Sequence, residues 1–361
     1  MTTFEPLPET MRAAVMYDVD DIRIEERRLP GLRPGDVLVR TGASGVCSGD
    51  LMPWYVRRKA PFVFGHEPAG TLVAYAGEEP PMPLGTRIFA HHHAPCLHCD
   101  ACRAGRFVHC ATWRATALDP GGMAEYFRVP RANLTDTLAL PEHLSFLDGS
   151  LVEPLACVVK SLRRALPHGV EAALRGKPGA LTGTTLYVIG AGAMGLMHVA
   201  VAAAAGARVF ASDFHAGRRA AAEGLGAAET FPPGEAAERL ADLTAGRLAD
   251  AVICGPGSPA ALAHAVEAVG ADGTVLMFTP IEPDERFAFD QSRAYFRDVR
   301  LVSSYSCGPA DTAAALDLIA AGTVTARRLA AQSFRFPHVA DAYARMSAAD
   351  VVKAIVTFDP V

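Results

Sequence analysis

Leu186-Tyr187-Val188-Ile189-Gly190-Ala191-Gly192-Ala193-Met194-Gly195 decides how this chain folds. Four apolar residues run into G-x-G-x-x-G, and an apolar, Ala-rich stretch at 194–205 predicts a helix behind it. Glycine is common here, with 32 residues, so its place between a strand and a helix carries the reading. Gly190 permits the tight turn, Gly192 lets the backbone approach a pyrophosphate, and Gly195 allows close packing of helix on strand. The N–H groups of the helix start, at Ala193 and Met194, face the phosphates. A second strand at 208–211 leads to Asp213, 23 residues after Gly190, placed to accept hydrogen bonds from an adenosine ribose diol. A 2′-phosphate would meet that carboxylate, so the expected cofactor is NAD rather than NADP. Arg218 packs over the adenine side in this reading.

Outward from the turn, the strands at 251–254 and 274–278 alternate with helical stretches, the rhythm of a parallel sheet covered on both faces. Residues 11–155 read differently. Short strands at 37–40, 70–74 and 86–90, punctuated by Pro34-Gly35 and Pro83-Leu84-Gly85, predict an irregular, barrel-like β domain. An α/β chain of 361 residues in two domains is the expectation. By periodicity alone, the helical segment at 310–321 and the strand at 354–358 could join either domain. The Gly- and Pro-punctuated stretch 167–182 predicts an extended linker or surface excursion.

The 34 Lys and Arg against 39 Asp and Glu give a charge of -5, which points to no nucleic-acid or acidic-membrane partner. No run of 18 apolar residues predicts a membrane span, and the opening MTTFEPLPETM has no signal-peptide character. C-x2-C spacing in such a chain reads first as metal, and the expected compartment is cytoplasmic. A hydrolytic G-x-S-x-G elbow is absent.

Cys96, Cys99, Cys102 and Cys110 form the ladder C-x2-C-x2-C-x7-C, which lets one segment wrap a tetrahedral ion. Four thiolates suit zinc and leave no open position, so this zinc would be structural; disulfides or vacant thiols are the other reading. His98 and His109 lie inside the lobe and read as solvent-facing. Of the run His91-His92-His93, one ring is expected to line a site. Chemistry needs a sparser set: Cys47 after a strand, His66-Glu67 in Phe64-Gly65-His66-Glu67-Pro68, and Glu153 heading Glu153-Pro154-Leu155. Thiolate, imidazole and carboxylate leave a zinc ion room for a substrate oxygen.

Taken together, Gly45-Val46-Cys47, Gly65-His66-Glu67, the four-cysteine lobe, Glu153-Pro154-Leu155, Gly190–Gly195 and Asp213 resemble the zinc-dependent medium-chain alcohol and polyol dehydrogenases. The resemblance implies a GroES-like catalytic domain at 1–155, completed by 301–361, with a Rossmann domain at 156–300. It implies two zinc ions per chain: a structural one, and a catalytic one on Cys47, His66 and Glu67, with Glu153 bound directly or through water. Asp50 would orient the ligands. Glu153 in place of a cysteine resembles the polyol and threonine dehydrogenase branch, and relatives are dimers or tetramers. The implied reaction interconverts a secondary alcohol of a polyol, sugar alcohol or cyclitol and its ketone by hydride transfer to NAD. Apolar secondary alcohols, a threonine-type substrate, a zinc-free reductase and a silent NAD-binding protein are the alternatives. Relatives carry Ser or Thr two residues after the cysteine ligand to relay a proton; here that residue is Gly49. Solvent, Glu153, Tyr55 or a substrate hydroxyl would have to serve. Trp54-Tyr55 and Tyr305-Ser306-Cys307 are expected to line the pocket.

Overall fold

Apolar runs too short for helices become buried strands in this chain, and the Ala-rich runs between them become helices. The computed structural model describes residues 1–166 and 168–358. They divide into two units. One comprises Met1–Ala156, Cys307–Ala320 and Thr325–Val361; the other comprises Cys157–Ser306 and Ala321–Val324.

The second unit is built on a six-stranded sheet, paired in parallel throughout. Its spatial order is Glu229–Phe231, Arg208–Ser212, Thr185–Ile189, Ala249–Cys254, Val269–Met277, Arg300–Ser303. Leu186, Tyr187 and Val188 are all fully buried, as strands covered on both faces must be. The strand order reverses beside Thr185–Ile189, and at such a switch point the carboxyl ends of the strands leave a ligand crevice. The helix Ala193–Ala204 starts there, and Gly195–Ala202 are buried all round it. That follows from a helix with almost no polar face.

The stretch 167–182 differs from expectation. Pro167 lies outside the described residues, but Val170–Leu174 is a short helix rather than an extended linker. Val170, Leu174 and Leu181 are buried, and the Leu181 N–H donates to the Ala205 carbonyl at 2.9 Å. The apolar residues between the Gly and Pro punctuation hold it down.

The first unit carries an eight-stranded sheet and a three-stranded one. Along the larger runs the order Gln332–Arg335, Ala354–Thr357, Val37–Gly45, Pro68–Tyr75, Arg87–Ala90, Thr137–Ala139. Both segments that periodicity left open, the helix Pro309–Ala320 and the strand Ala354–Thr357, lie in this unit. The last strand pairs Ile355 with Gly45, and the Val46 N–H donates to the Ala354 carbonyl at 3.0 Å. The chain's end is thus stitched beside Cys47. Phe64, Tyr343, Phe336 and Phe358 pack the core under this junction.

Candidate active site

The antiparallel pairing of Val37–Gly45 with Pro68–Tyr75 closes at Ser44 opposite Pro68. Cys47 lies just past the end of one strand and His66-Glu67 just before the start of the other, so register alone brings them together. One ligand atom each from Cys47, His66 and Glu67 lies within 4.8 Å of the others. Cys47 caps a short 3₁₀ turn at Ser48–Leu51, where its sulfur accepts the Gly49 N–H at 3.3 Å.

Asp50, buried in that turn, sets Oδ2 3.5 Å from His66 Nδ1, and this oxygen has no hydrogen-bond partner among the described residues. Burial pushes the Asp50 carboxyl up. Burial also opposes charge on His66, but Asp50 and Cys47 outweigh it and hold the imidazole well above its usual range. A thiol, an imidazole and a carboxyl gathered this closely fit a borderline divalent cation such as zinc. A Cβ at Gly49 would meet only Cys47 Sγ at 3.4 Å and Met52 Cε at 3.8 Å, so the turn has room for the missing hydroxyl but does not carry it.

Sequence reasoning missed two residues here. Lys353 Nζ donates to Glu67 Oε2 at 2.5 Å and to the Val46 carbonyl at 2.8 Å. Gly45 makes this possible: a Cβ there would sit 1.9 Å from Glu67 Oε2 and 3.2 Å from Lys353 Cε. Tyr343, whose buried hydroxyl has no partner among the described residues, is pushed well up by burial and by the charges of Asp50, Glu67 and Cys47. The only sequence signal for Lys353 is a lone cation ahead of an apolar strand.

Glu153 is buried, with a carboxylate oxygen within 4.8 Å of a ring nitrogen of each of His91 and His92, and its charge also acts on His66. The His92 ring lies 5.0 Å from that of His66, so one histidine of the run borders the site. Burial opposes charge on His91, yet Cys307 and Asp136 hold it well above the imidazole range. Of the expected pocket residues, Cys307 is fully buried and Tyr305 is 65% exposed. The Tyr55 hydroxyl is already engaged by Lys59 Nζ at 2.5 Å.

The four ladder cysteines converge within 4.8 Å. Sulfur separations are 3.5 Å for Cys99–Cys102, 3.6 Å for Cys96–Cys110 and 3.9 Å for Cys96–Cys102, so none of these pairs is a disulfide. Two thiolates about 2.3 Å from one tetrahedral zinc stand roughly 3.8 Å apart, and the lobe fits that ion. Hydrogen bonds from the backbone at His98 and Cys99 hold the Cys96 thiol below its usual range. His98 and His109 are exposed.

In the second unit, Gly190 has φ +88°, a conformation glycine adopts freely. A Cβ at Gly195 would stand 1.9 Å from the Gly190 carbonyl, so the helix can start this close only without one. Gly192 has open space above it, and Ala193 and Met194 begin the helix whose first N–H groups point there. Asp213 ends the neighbouring strand, its Oδ2 accepting the Ala191 N–H at 2.9 Å and its Oδ1 the His215 N–H at 2.8 Å. Arg218 Nη1 lies 3.8 Å from Asp213 Oδ2. The acid is thereby fixed against the glycine turn. These groups fit a dinucleotide: a backbone cradle for phosphates and a carboxylate for a ribose.

Comparison with known proteins bears on the same residues. The alcohol dehydrogenase GroES-like domain family matches residues 33–141, and the zinc-binding dehydrogenase family matches 193–321. Sorbitol dehydrogenase of Bacillus subtilis (strain 168) is 28% identical over 356 residues, 94% of each chain. The chain belongs to the zinc-dependent medium-chain alcohol and polyol dehydrogenases. D-xylulose reductase A of Aspergillus niger is 26% identical over 360 residues, 95% of each chain. The structure of a zinc-binding dehydrogenase from Sinorhizobium meliloti 1021 bound to NADP is 26% identical and superposes with a TM-score of 0.83, covering 97% of this chain and 100% of that one. The fold is thus a GroES-like unit and a Rossmann unit. The enzyme is a dehydrogenase of CH–OH groups, dependent on zinc and a nicotinamide dinucleotide. Among the described residues, no helix is long and apolar enough to cross a membrane.

Proposed function

We propose that this dehydrogenase interconverts a secondary alcohol of a small polyol, sugar alcohol or cyclitol and its ketone, with NAD as partner. The convergence of Cys47, His66 and Glu67 carries the reading, since three protein ligands leave a fourth position for a substrate oxygen. When bound, zinc supplies a Lewis acid that makes an alcohol hydroxyl more acidic, and NAD takes the carbinol hydride.

The chain's own residues prepare for this. Asp50 sets its carboxyl 3.5 Å from His66 Nδ1 and biases that ring by its charge. Lys353 balances the charge of Glu67 and fixes its carboxylate. Glu153, whose charge acts on His66, binds the same ion directly or through its water. Gly49 cannot relay a proton, so solvent, Glu153, Tyr55 or a neighbouring substrate hydroxyl carries it. That requirement favours polyols over simple alcohols. The relatives named sorbitol dehydrogenase and D-xylulose reductase support the same class.

Gly190, Gly192, Ala193, Met194 and Gly195 hold the pyrophosphate, and Asp213 holds the ribose with Arg218 alongside. Although the Sinorhizobium neighbour binds NADP, a buried carboxylate at the ribose position favours NAD in this chain. Cys96, Cys99, Cys102 and Cys110 hold the structural zinc. Eight cysteines, none of them joined in a disulfide among the described residues, suit the reducing cytoplasm. The exposed Tyr295 and Phe296 beside the edge strand Arg300–Ser303 suit a homodimer or homotetramer.

NADH formation across sugar alcohols, cyclitols, threonine and apolar secondary alcohols, with NAD and NADP in parallel, tests the reading. Highest kcat/KM on a vicinal polyol with NAD supports it. Highest kcat/KM on an apolar alcohol, or preference for NADP, contradicts it.

A further inference from the structure

The strand Arg208–Ser212 leaves the parallel sheet beside the glycine turn, and its exit is held in two different ways. Up to Asp213 the backbone of the turn holds it: the Gly190 N–H donates to the Ser212 carbonyl at 2.8 Å, and the Ala191 N–H to Asp213 Oδ2 at 2.9 Å. Beyond Asp213 the chain runs over the surface. Phe214, His215, Ala216 and Gly217 are all exposed, Phe214 by 85%, so apolar burial contributes little to fixing this stretch. A half-buried arginine contributes instead. Arg219 stands in the first turn of the helix Ala216–Gly224, and its Nη1 donates to the Asp213 carbonyl at 2.8 Å and to the Phe214 carbonyl at 3.1 Å. Together with Arg218 it puts two cations at a helix N-terminus, where the macrodipole opposes them. A local preference broken in this way calls for a compensating gain, and hydrogen bonds from a guanidinium to the strand exit provide one. The two arginines divide the acid between them. Arg219 takes its backbone carbonyl, while Arg218 Nη1 lies 3.8 Å from its Oδ2.

We propose that Arg219 is a positioning residue for cofactor selection: by clamping the backbone at Asp213 and Phe214, it holds the Asp213 carboxylate where a ribose diol meets it and a 2′-phosphate is repelled. This role rests on the reading of Asp213 as the ribose contact. Each oxygen of that carboxylate already accepts one backbone N–H, from Ala191 and from His215, and keeps lone-pair capacity for a ribose hydroxyl. The two N–H donors lie on opposite sides of the strand exit, one in the glycine turn and one in the exposed stretch. Only the second depends on where residues 214–217 run, and Arg219 is the side chain that sets their course from the Asp213 and Phe214 carbonyls. With the clamp removed, the acid stays attached to Ala191 but its Oδ1 side is loosened. A diol contact suffers from that displacement. NADP, which the carboxylate repels in either position, gains or loses little. Arg219 therefore acts on the difference between the two cofactors rather than on dinucleotide binding as a whole.

A double-mutant cycle tests it. The Kd values of NAD and NADP are measured by titration calorimetry on zinc-loaded wild type, Arg219→Met, Asp213→Ala and the double variant, with folding checked by circular dichroism. Arg219→Met is expected to weaken NAD about fivefold and to leave NADP within about twofold. In the Asp213→Ala background the same substitution should change neither Kd. Arg219→Lys, whose single ammonium can still serve one carbonyl, should recover part of the preference for NAD, and it gives the same comparison if the methionine variant does not fold. Unchanged NAD affinity in Arg219→Met overturns the role. So does an equal loss for both cofactors, or a loss of the same size with and without Asp213, since either is the mark of a merely structural arginine. Asp213→Ala alone reads the ribose contact separately: if that variant keeps the wild-type ratio of the two Kd values, the contact itself is wrong and the role of Arg219 falls with it.

Discussion

Lys353 Nζ and Glu67 Oε2 stand 2.5 Å apart with both side chains 1% exposed, joining residues 286 positions apart in sequence. A buried pair of this kind adds little net stability but is costly to break from one side. Its value is positional: it sets the carboxylate of a metal ligand from the last strand of the chain, in a space that Gly45 leaves open.

In metal-free protein, Lys353→Met should therefore leave Glu67 charged and unbalanced in a dry core. The expected loss is about 3–5 kcal/mol of stability, read by denaturant melts, with kcat falling as Glu67 moves. Lys353→Arg should recover part of both.

Cys102→Ser tests the lobe. Removing one of four thiolates should lose one zinc per chain and lower the Tm, while chains that remain folded keep their kcat. Thermal melts and turnover on the same sample distinguish this from a catalytic role.

Asp213→Ala should weaken NAD about tenfold, the worth of one good hydrogen bond to a charged acceptor. Arg218, 3.8 Å from that carboxylate, would then face the ribose unopposed. Discrimination against NADP should narrow, measured as the ratio of the two Kd values.

A pH effect follows from His198 in the helix Ala193–Ala204. Its Nδ1 donates to the Met194 carbonyl at 2.7 Å and its Nε2 meets the Ser161 hydroxyl at 2.6 Å. Burial brings this imidazole down to about 4. The unfolded chain then binds the proton first, so stability present above pH 6.5 is lost progressively as pH falls towards 4. Between pH 7.5 and 5 the loss is on the order of 2 kcal/mol. His198→Gln should flatten that limb of the stability profile.

What could be read from sequence was what is local in sequence. The glycine turn with Asp213 and the four-cysteine ladder each lie within one short segment, so spacing shows their geometry. Cys47, His66 and Glu67 come from two strand ends whose register no spacing reveals, so donor chemistry and resemblance had to join them. Lys353 and the Asp136–His91–Cys307 chain had no such guide, because each depends on long-range pairing. No spacing linked Glu153 to His91 and His92, which its helix start brings within 4.8 Å, while its charge still acts on His66. In the stretch 167–182, Gly and Pro punctuation masked the apolar residues Val170, Ala173, Leu174 and Leu181 that anchor it, while residues 175–179 stay at the surface.

The central claim is that hydride transfer depends on an ion held by Cys47, His66 and Glu67. Stopped-flow NADH formation by wild type and Cys47→Ser, with NAD affinity measured on both, tests it most directly. The account predicts that the variant binds NAD within about threefold of wild type and forms no NADH. A variant that forms NADH at the wild-type rate would contradict it.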